Sequence, residues 1–489
     1  MIVEILGAKM LSPYIGTSHF VWTAQIAVTL VALACGYYAG GKLSDRSQKL
    51  DTLYWAIISA AIYLIVTVPA CGPVAYRCLD FNLAIGSLFA SAFLFFVPLA
   101  LLAMTGPFLV RVITSSVTGV GGNVGRLTAI GTFGSFAGTL LVSYVMVPLL
   151  ANSVSMYLTA GMLLLVGGFY FVMVRRLSAK PLAAVALGLL GIVGLLFQKD
   201  APANGEFREV FRGNSHFGMI QVLDRDDGRM RFYSNDNLIQ NTYDPELRQS
   251  ASTFTYMLSG LARAYTTNIE TALCIGMGVG IVPMEFARDG IAVDVVEINP
   301  AVVPVAERFF DFDSKKVQLT IDDGRHFLNR ATNRYDAVVL DAFLGDSSPS
   351  HLMTREAFES IRNVLRPGGV LVINAFCELD RGKDFFAASL NKTLQAVFRG
   401  VRMHFGGGQI YFVATDREEP AMVRQIDLTS VHRLVLTDAR IAYSTIVSTD
   451  PSSGRVLTDD RNPVEFHDAH HREEVRRNLA RSARRLGVF

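Results

Sequence analysis

The chain has 489 residues, of which 51% are hydrophobic and only 18% charged, and its formal net charge is +2. Such an apolar excess excludes an ordinary soluble protein throughout, and the length calls for several domains. Five cysteines (Cys35, Cys71, Cys78, Cys274, Cys377) form no CxxC or Cys/His ligand spacing, so no metal site is expected.

The charge is unevenly spread: residues 1–199 hold long uncharged apolar runs, and the rest reads as a soluble protein. A bilayer core about 30 Å thick needs roughly 20 apolar residues in a helix. Candidate spans are Phe20–Leu43, Leu53–Cys71, Asn82–Met104, Leu127–Leu150, Val154–Val174 and Pro181–Phe197. The start, MIVEILGAKML, is a shorter candidate for a seventh, weakened by Glu4 and Lys9, and has neither the basic n-region nor the cleavage site of a signal peptide. CGPVAYRC (Cys71–Cys78) reads as an inter-helix loop whose cysteines can pair in an oxidising compartment. GTFGSFAG (Gly131–Gly138) predicts close helix packing. An integral multi-pass inner-membrane protein is expected, with the lipid bilayer as a partner.

Three loops are basic: one holds Lys42, Arg46 and Lys49, the next Arg111 and Arg126, the third Arg175, Arg176 and Lys180. The alternating loops hold Arg77 or nothing, so the basic loops face the cytoplasm by the positive-inside rule. A full crossing by Pro181–Phe197 then leaves everything after Lys199 outside.

KDAPANGE (Lys199–Glu206) is a linker, after which short alternating strands begin. GMIQVLD and RMRFYSN, separated by RDDG, predict a β-hairpin in a small β-domain. From Glu270 strands alternate with helices: TALCIG, VDVVEIN, VQLTIDD, YDAVVLD and GGVLVINAF are the strands. That alternation predicts a parallel sheet with helices on both faces and ligands at the strands' carboxyl ends. The assignment is four domains: a transmembrane helical bundle (1–199), a small β-domain (200–264), a Rossmann-like α/β domain (265–425) and a C-terminal extension with a basic helix (426–489).

Chemistry-bearing residues fall at those strand ends. TALCIG opens into GMGVG, where Gly276, Gly278 and Gly280 permit a tight turn and close approach of a ligand. Glu297 lies 21 residues after Gly276, near the roughly 20 expected of an acid gripping a ribose diol. Asp322 and Asp323 follow the third strand, Asp341 the fourth, and Asp346 sits five residues further on. GMGVG lacks GxGxxG spacing and a Walker lysine, which disfavours a pyrophosphate. A ring of carboxylates without arginine suits a cationic adenosyl compound: S-adenosylmethionine or its decarboxylated form. His351 reads as structural. His467, His470 and His471 read as solvated.

These motifs, ALCIGMGVG, VDVVEINP, IDDGRHFL, YDAVVLDAF, HLMTREAF and LRPGG, resemble the spermidine synthase (polyamine aminopropyltransferase) family, which is related to class I methyltransferases. The membrane half ahead of them resembles the bacterial group of membrane-fused spermidine synthase-like proteins. The resemblance implies that Gln240, in NLIQN, lies near the nucleoside, Glu297 binds ribose, Ile298 packs on adenine and Asp323 takes the adenine amino group. It implies that Asp341 activates the attacking amine while Asp346 holds the far side of the substrate. The family's amine-holding groups are thinned: Val279 replaces an acid, Phe217-Gly218 replaces Tyr-Gln, and Phe254-Thr255-Tyr256 replaces Tyr-His-Glu.

The expected activity is aminopropyl-type transfer from the sulfonium compound to an amine, a polyamine among the candidates, releasing methylthioadenosine. Alternatives are amine-independent cleavage or cyclisation of the sulfonium, methyl transfer, and a non-catalytic nucleoside or polyamine sensor-transporter. A homo-oligomer and no nucleic-acid partner are expected. The ligand is made and kept in the cytoplasm, so a cytoplasmic catalytic domain is expected, with the last apolar segment lying shallow or re-entering.

Overall fold

The computed structural model describes residues 1–16, 18–114, 119–174, 179–197, 207–343, 349–380, 382–450, 452–467 and 473–478. The linker after Lys199, Asp346, His470 and His471 lie outside the described residues. There are two compact units: Met1–Asn204 with Gly213–Gly218 and Val475–Phe489, and Gly205–Arg212 with Met219–Glu474.

The first unit is helical: α1 (Ile2–Ile15), α2 (His19–Arg46), α3 (Leu50–Cys78), α4 (Leu83–Ile113), α5 (Val120–Leu149), α6 (Asn152–Met173) and α7 (Ala179–Phe197). The five helices α2 to α6 are each long and apolar enough to cross a bilayer. The 14 residues of α1 rise only about 21 Å, less than a bilayer core. A π turn precedes each of Pro98 in α4 and Pro148 in α5, and the widened turn absorbs the missing proline N–H.

Two expectations are corrected in this unit. The segment Cys71–Cys78 is not a loop but the last two turns of α3, which runs through Pro69 and Pro73. Seven residues of helix rise about 10 Å, beyond disulfide reach, and both thiols are free. Within the GTFGSFAG stretch only Gly138 packs closely, its Cβ position 3.2 Å from Ile2 of α1, and tighter helix contacts fall between α2 and α4. A Cβ on Gly36 would lie 2.3 Å from the Ala100 carbonyl oxygen, and one on Gly40 2.6 Å from that of Met104. Gly131 and Gly134 meet nothing within 4 Å. They line a cavity of about 1450 Å³ with Tyr37, Asp45, Arg111 and Thr128. Small residues permit close approach without compelling it.

The second unit is built on two sheets. β1 (Phe207–Ser215), β2 (Gly218–Arg225), β3 (Arg231–Asn235), β4 (Leu238–Asp244) and β5 (Gln249–Ser250) lie side by side in chain order. The β2–β3 hairpin forms where alternation and RDDG predict it. After α8 (Thr253–Tyr265), the second sheet takes β6 (Thr271–Ile275), β7 (Ala292–Glu297), β8 (Gln318–Ile321), β9 (Tyr335–Leu340), β10 (Leu365–Ala375), β11 (Gly400–Gly406), β12 (Gln409–Thr415) and β13 (Ile446–Val447).

The second sheet has the order β13-β11-β12-β10-β9-β6-β7-β8. Strands β10, β9, β6, β7 and β8 are parallel, as the strand–helix alternation predicts. The other three, which lie beyond the predicted strands, are antiparallel. The cause is the tight β11–β12 turn, where Gly407 and Gly408 both take positive φ, 62° and 77°, as a two-residue type I′ hairpin requires. One apolar core joins Val222 and Tyr233 of the small sheet, Met257 and Leu261 of α8, and Val295 and Val339 of the large sheet. The two sheets therefore fold together.

A buried acid beside this core makes stability pH-dependent. Glu285, in α9 (Ile281–Arg288), accepts a hydrogen bond from Ser259, and burial pushes its carboxyl up to about 7. The native state thus keeps a proton that the unfolded chain has released, and stability falls as pH rises from about 4.5 to 7. Glu285→Gln mimics the protonated form. Its melting temperature should match wild type near pH 4.5 and exceed it progressively towards pH 8. A pH-independent difference would show that the carboxyl ionises freely in the native state.

Candidate active site

The switch in strand order lies at β6: the chain first builds β7 and β8 on one side of it and then returns to place β9 and β10 on the other. A crevice opens at the carboxyl ends there, and α/β sheets bind ligands in that place. The sequence folds so because β6 ends in glycines. Gly276, Gly278 and Gly280 take φ of 89°, 54° and 84°. A Cβ on Gly276 would sit 2.3 Å from the Asp341 carbonyl oxygen, and one on Gly280 2.3 Å from the Phe312 ring. Only glycine lets this turn pass so close to the end of β9.

Glu297, at the end of β7, is 8% exposed. Its Oε2 accepts from the Met277 amide at 2.9 Å and its Oε1 from the Asn299 amide at 2.8 Å. Burial raises its carboxyl above the usual range, against the pull of those amides. The acid therefore pins the glycine turn to β7. A carboxylate has about four acceptor positions, more than these amides fill, so Glu297 keeps acceptor capacity for a ligand hydroxyl. Ile298 stands beside it, 38% exposed.

Asp323 is the N-cap of α10 (Gly324–Arg330): its Oδ1 accepts from the Arg325 amide at 2.8 Å and the His326 amide at 3.2 Å. Its Oδ2 meets His351 Nε2 at 3.0 Å. Asp323 and His351 are thus a pair, which gives the structural reading of His351 its partner. Asp322 is occupied by His326 Nδ1 at 2.7 Å, whose bond holds its carboxyl below the ordinary range.

Asp341 follows β9 directly and is half-buried. Its amide donates to the Ile275 carbonyl at 3.0 Å, which locks it beside the glycine turn. Its Oδ1 accepts from Asn374 Nδ2 at 2.9 Å. Burial pushes the carboxyl up to about 6, with the Asn374 bond opposing. A base tuned close to neutrality suits proton transfer at physiological pH. Asp341 also lines a cavity of about 10 Å³, room for one water, together with Asn241, Phe254, Thr255, Met277 and Ile281.

The structure brings the glycine turn, Glu297 and Asp341 together through direct bonds. Gln240 lies at a β-bulge: the β3–β4 register jumps from Tyr233↔Asn241 to Ser234↔Ile239 and leaves Gln240 as the extra residue. The bulge aims Asn241 at Gly278, so the cavity is lined by Asn241 and not by Gln240. Asn241 and Asn374 were not among the sequence candidates. Asn374 had a signal, a lone amide at the carboxyl end of an apolar strand, VLVINAF. It is 2% exposed, and its Oδ1 has no hydrogen-bond partner among the described residues.

Residues 252–405 match the model of the spermine/spermidine synthase domain. The chain is 41% identical over 113 residues to the polyamine aminopropyltransferase of Vibrio vulnificus, covering 22% of this chain and 38% of that protein. It is 25% identical over 236 residues to a probable polyamine aminopropyl transferase of Bifidobacterium longum, covering 47% of this chain and 50% of that one. The chain thus spans half or less of the length of these curated relatives. Spermidine synthase from Thermotoga maritima superimposes with a TM-score of 0.41 at 16% identity, covering 52% of this chain and 96% of that chain.

Proposed function

We propose that the protein is a membrane-anchored, spermidine synthase-like transferase that consumes S-adenosylmethionine or its decarboxylated form. The observation that carries this reading is Asp341, a half-buried carboxyl pushed up to about 6 and locked against the glycine turn that Glu297 pins. In the proposed reaction an amine nitrogen attacks the methylene carbon next to sulfur. The carbon–sulfur bond breaks, its electron pair neutralises the sulfonium, and methylthioadenosine leaves. An aliphatic amine, with a pKa near 10, arrives protonated. Asp341 accepts that proton as the nitrogen attacks, and Asn374 holds the receiving carboxylate in place. Glu297 has acceptor capacity left for the ribose diol, and the exposed Ile298 offers an apolar face to adenine.

A second reading is favoured by a specific observation: the groups that would hold a diamine are missing. Val279 is buried at 1% exposure, and Phe254 and Thr255 present no charge to the cavity. Cleavage or cyclisation of the sulfonium compound without an acceptor needs none of them. The two readings separate on amine dependence. Purified full-length protein should release methylthioadenosine at a rate that saturates with added amine if it is a transferase. Release that ignores amine assigns the acceptor-free reaction, and no release with either donor ends both readings.

A further inference from the structure

We infer that the sheet-bearing part of the chain lies on the non-cytoplasmic side of the membrane and draws its substrates from that compartment. Contacts inside the helical unit define the two ends of the bundle. Arg111, near the end of α4, pairs with Asp45, near the end of α2, at 3.5 Å. Tyr170, near the end of α6, donates to Asp51 at the start of α3 at 2.7 Å. The segments that follow α2, α4 and α6 therefore share one end. Those segments contain the three basic loops. At the other end, a Cβ on Gly86 would lie 2.4 Å from the Cys78 carbonyl oxygen, which places the α3–α4 turn there.

The course of α7 decides which end the chain leaves from. It is an unbroken helix of 19 residues, about 28 Å long, close to the thickness of a hydrocarbon core. It runs antiparallel to α6 in a ladder of contacts: Gly168 against Val185, Leu164 against Gly188, and Gly161 against Ile192. Starting at the basic end, α7 therefore finishes at the opposite one. A shallow or re-entrant last segment, the expectation behind a cytoplasmic catalytic domain, does not fit this ladder.

The return of the chain gives an independent mark. Arg476 is fully buried and donates from Nη1 to the Pro13 carbonyl at 3.1 Å. Arg477 donates from Nε to the Leu79 carbonyl at 2.8 Å and from Nη2 to the Phe81 carbonyl at 2.6 Å. Pro13 is in the last turn of α1, and Leu79 and Phe81 follow α3. Helix C-termini expose unpaired carbonyls and partial negative charge, which guanidinium groups satisfy. The chain thus both leaves and rejoins the bundle at the end away from the basic loops. Short loops rich in Lys and Arg stay in the cytoplasm. Residues 207–474 then face the other compartment, and a release or transport step must supply their substrate.

The test uses single-cysteine variants of the full chain in spheroplasts, labelled with a membrane-impermeant maleimide and compared with wild type. Gln48→Cys lies in the first basic loop and Asp226→Cys in the β2–β3 turn; both positions are exposed. Asp226→Cys should label in intact spheroplasts, and Gln48→Cys only after permeabilisation. The reverse pattern overturns the inference. Alkaline phosphatase fused after Phe489 checks the result without altering the fold: an active fusion supports it, and an inactive one beside a fluorescent cytoplasmic reporter overturns it. Nucleoside binding measured in detergent does not depend on sidedness, so that reading stands or falls separately.

Discussion

Asp341→Asn is expected to lower turnover by at least about a hundredfold, the range of a lost general base, while nucleoside binding persists. Asparagine keeps the shape of the side chain and an oxygen for the Asn374 bond, yet it accepts no proton. The pH dependence should change with it. The Asp341 carboxyl is raised to about 6, so in the wild type the basic form is lost, and the rate falls, as pH drops through about 6. That limb should vanish from the residual activity of the variant. Near-normal turnover would assign the proton transfer elsewhere, and a retained limb near pH 6 would assign the titration to another group.

Glu297→Ala should weaken adenosyl-compound binding at least about tenfold, because a lost charged hydrogen bond is worth roughly 1.5–3 kcal/mol. The substitution also strips an acceptor from the Met277 and Asn299 amides, which loosens the glycine turn. Glu297→Gln separates the two effects. It keeps the side-chain shape and an oxygen for one of these amides, so it should disturb the glycine turn less than alanine does and still bind ribose more weakly than wild type. Unchanged affinity in both variants, by calorimetry, would remove Glu297 from the site.

Much of the catalytic sheet was legible because strand-end chemistry is local. An apolar run that stops at glycine or an acid marks both the strand and its carboxyl end, and Gly276, Glu297 and Asp341 stand at those points. What escaped depends on distant pairing. Gln240 and Asn241 are neighbours in sequence, and only the β3–β4 register settles which of them lines the cavity. The antiparallel edge lies beyond the last predicted strand, GGVLVINAF, and its pairing rests on the β11–β12 turn at Gly407 and Gly408. In the membrane half, hydropathy marks the spans but not their partners. Gly36 and Gly40 of α2 touch a neighbouring helix, whereas Gly41 of α2 and Gly131 and Gly134 of α5 line a cavity, and composition does not separate the two. Asp323 shows a further limit: one carboxylate caps a helix and pairs with a histidine, and sequence position alone suggested only a ligand.

The most direct measurement is a calorimetric titration of the purified full-length protein with methylthioadenosine, the product shared by both proposed reactions. It needs neither the acceptor nor the correct donor to be known. Saturable one-to-one binding, competed by S-adenosylmethionine or its decarboxylated form and weakened by Glu297→Gln, is the predicted result. No binding of methylthioadenosine or of either sulfonium compound, by protein that melts cooperatively, would contradict an adenosyl site at the Gly276–Asp341 crevice.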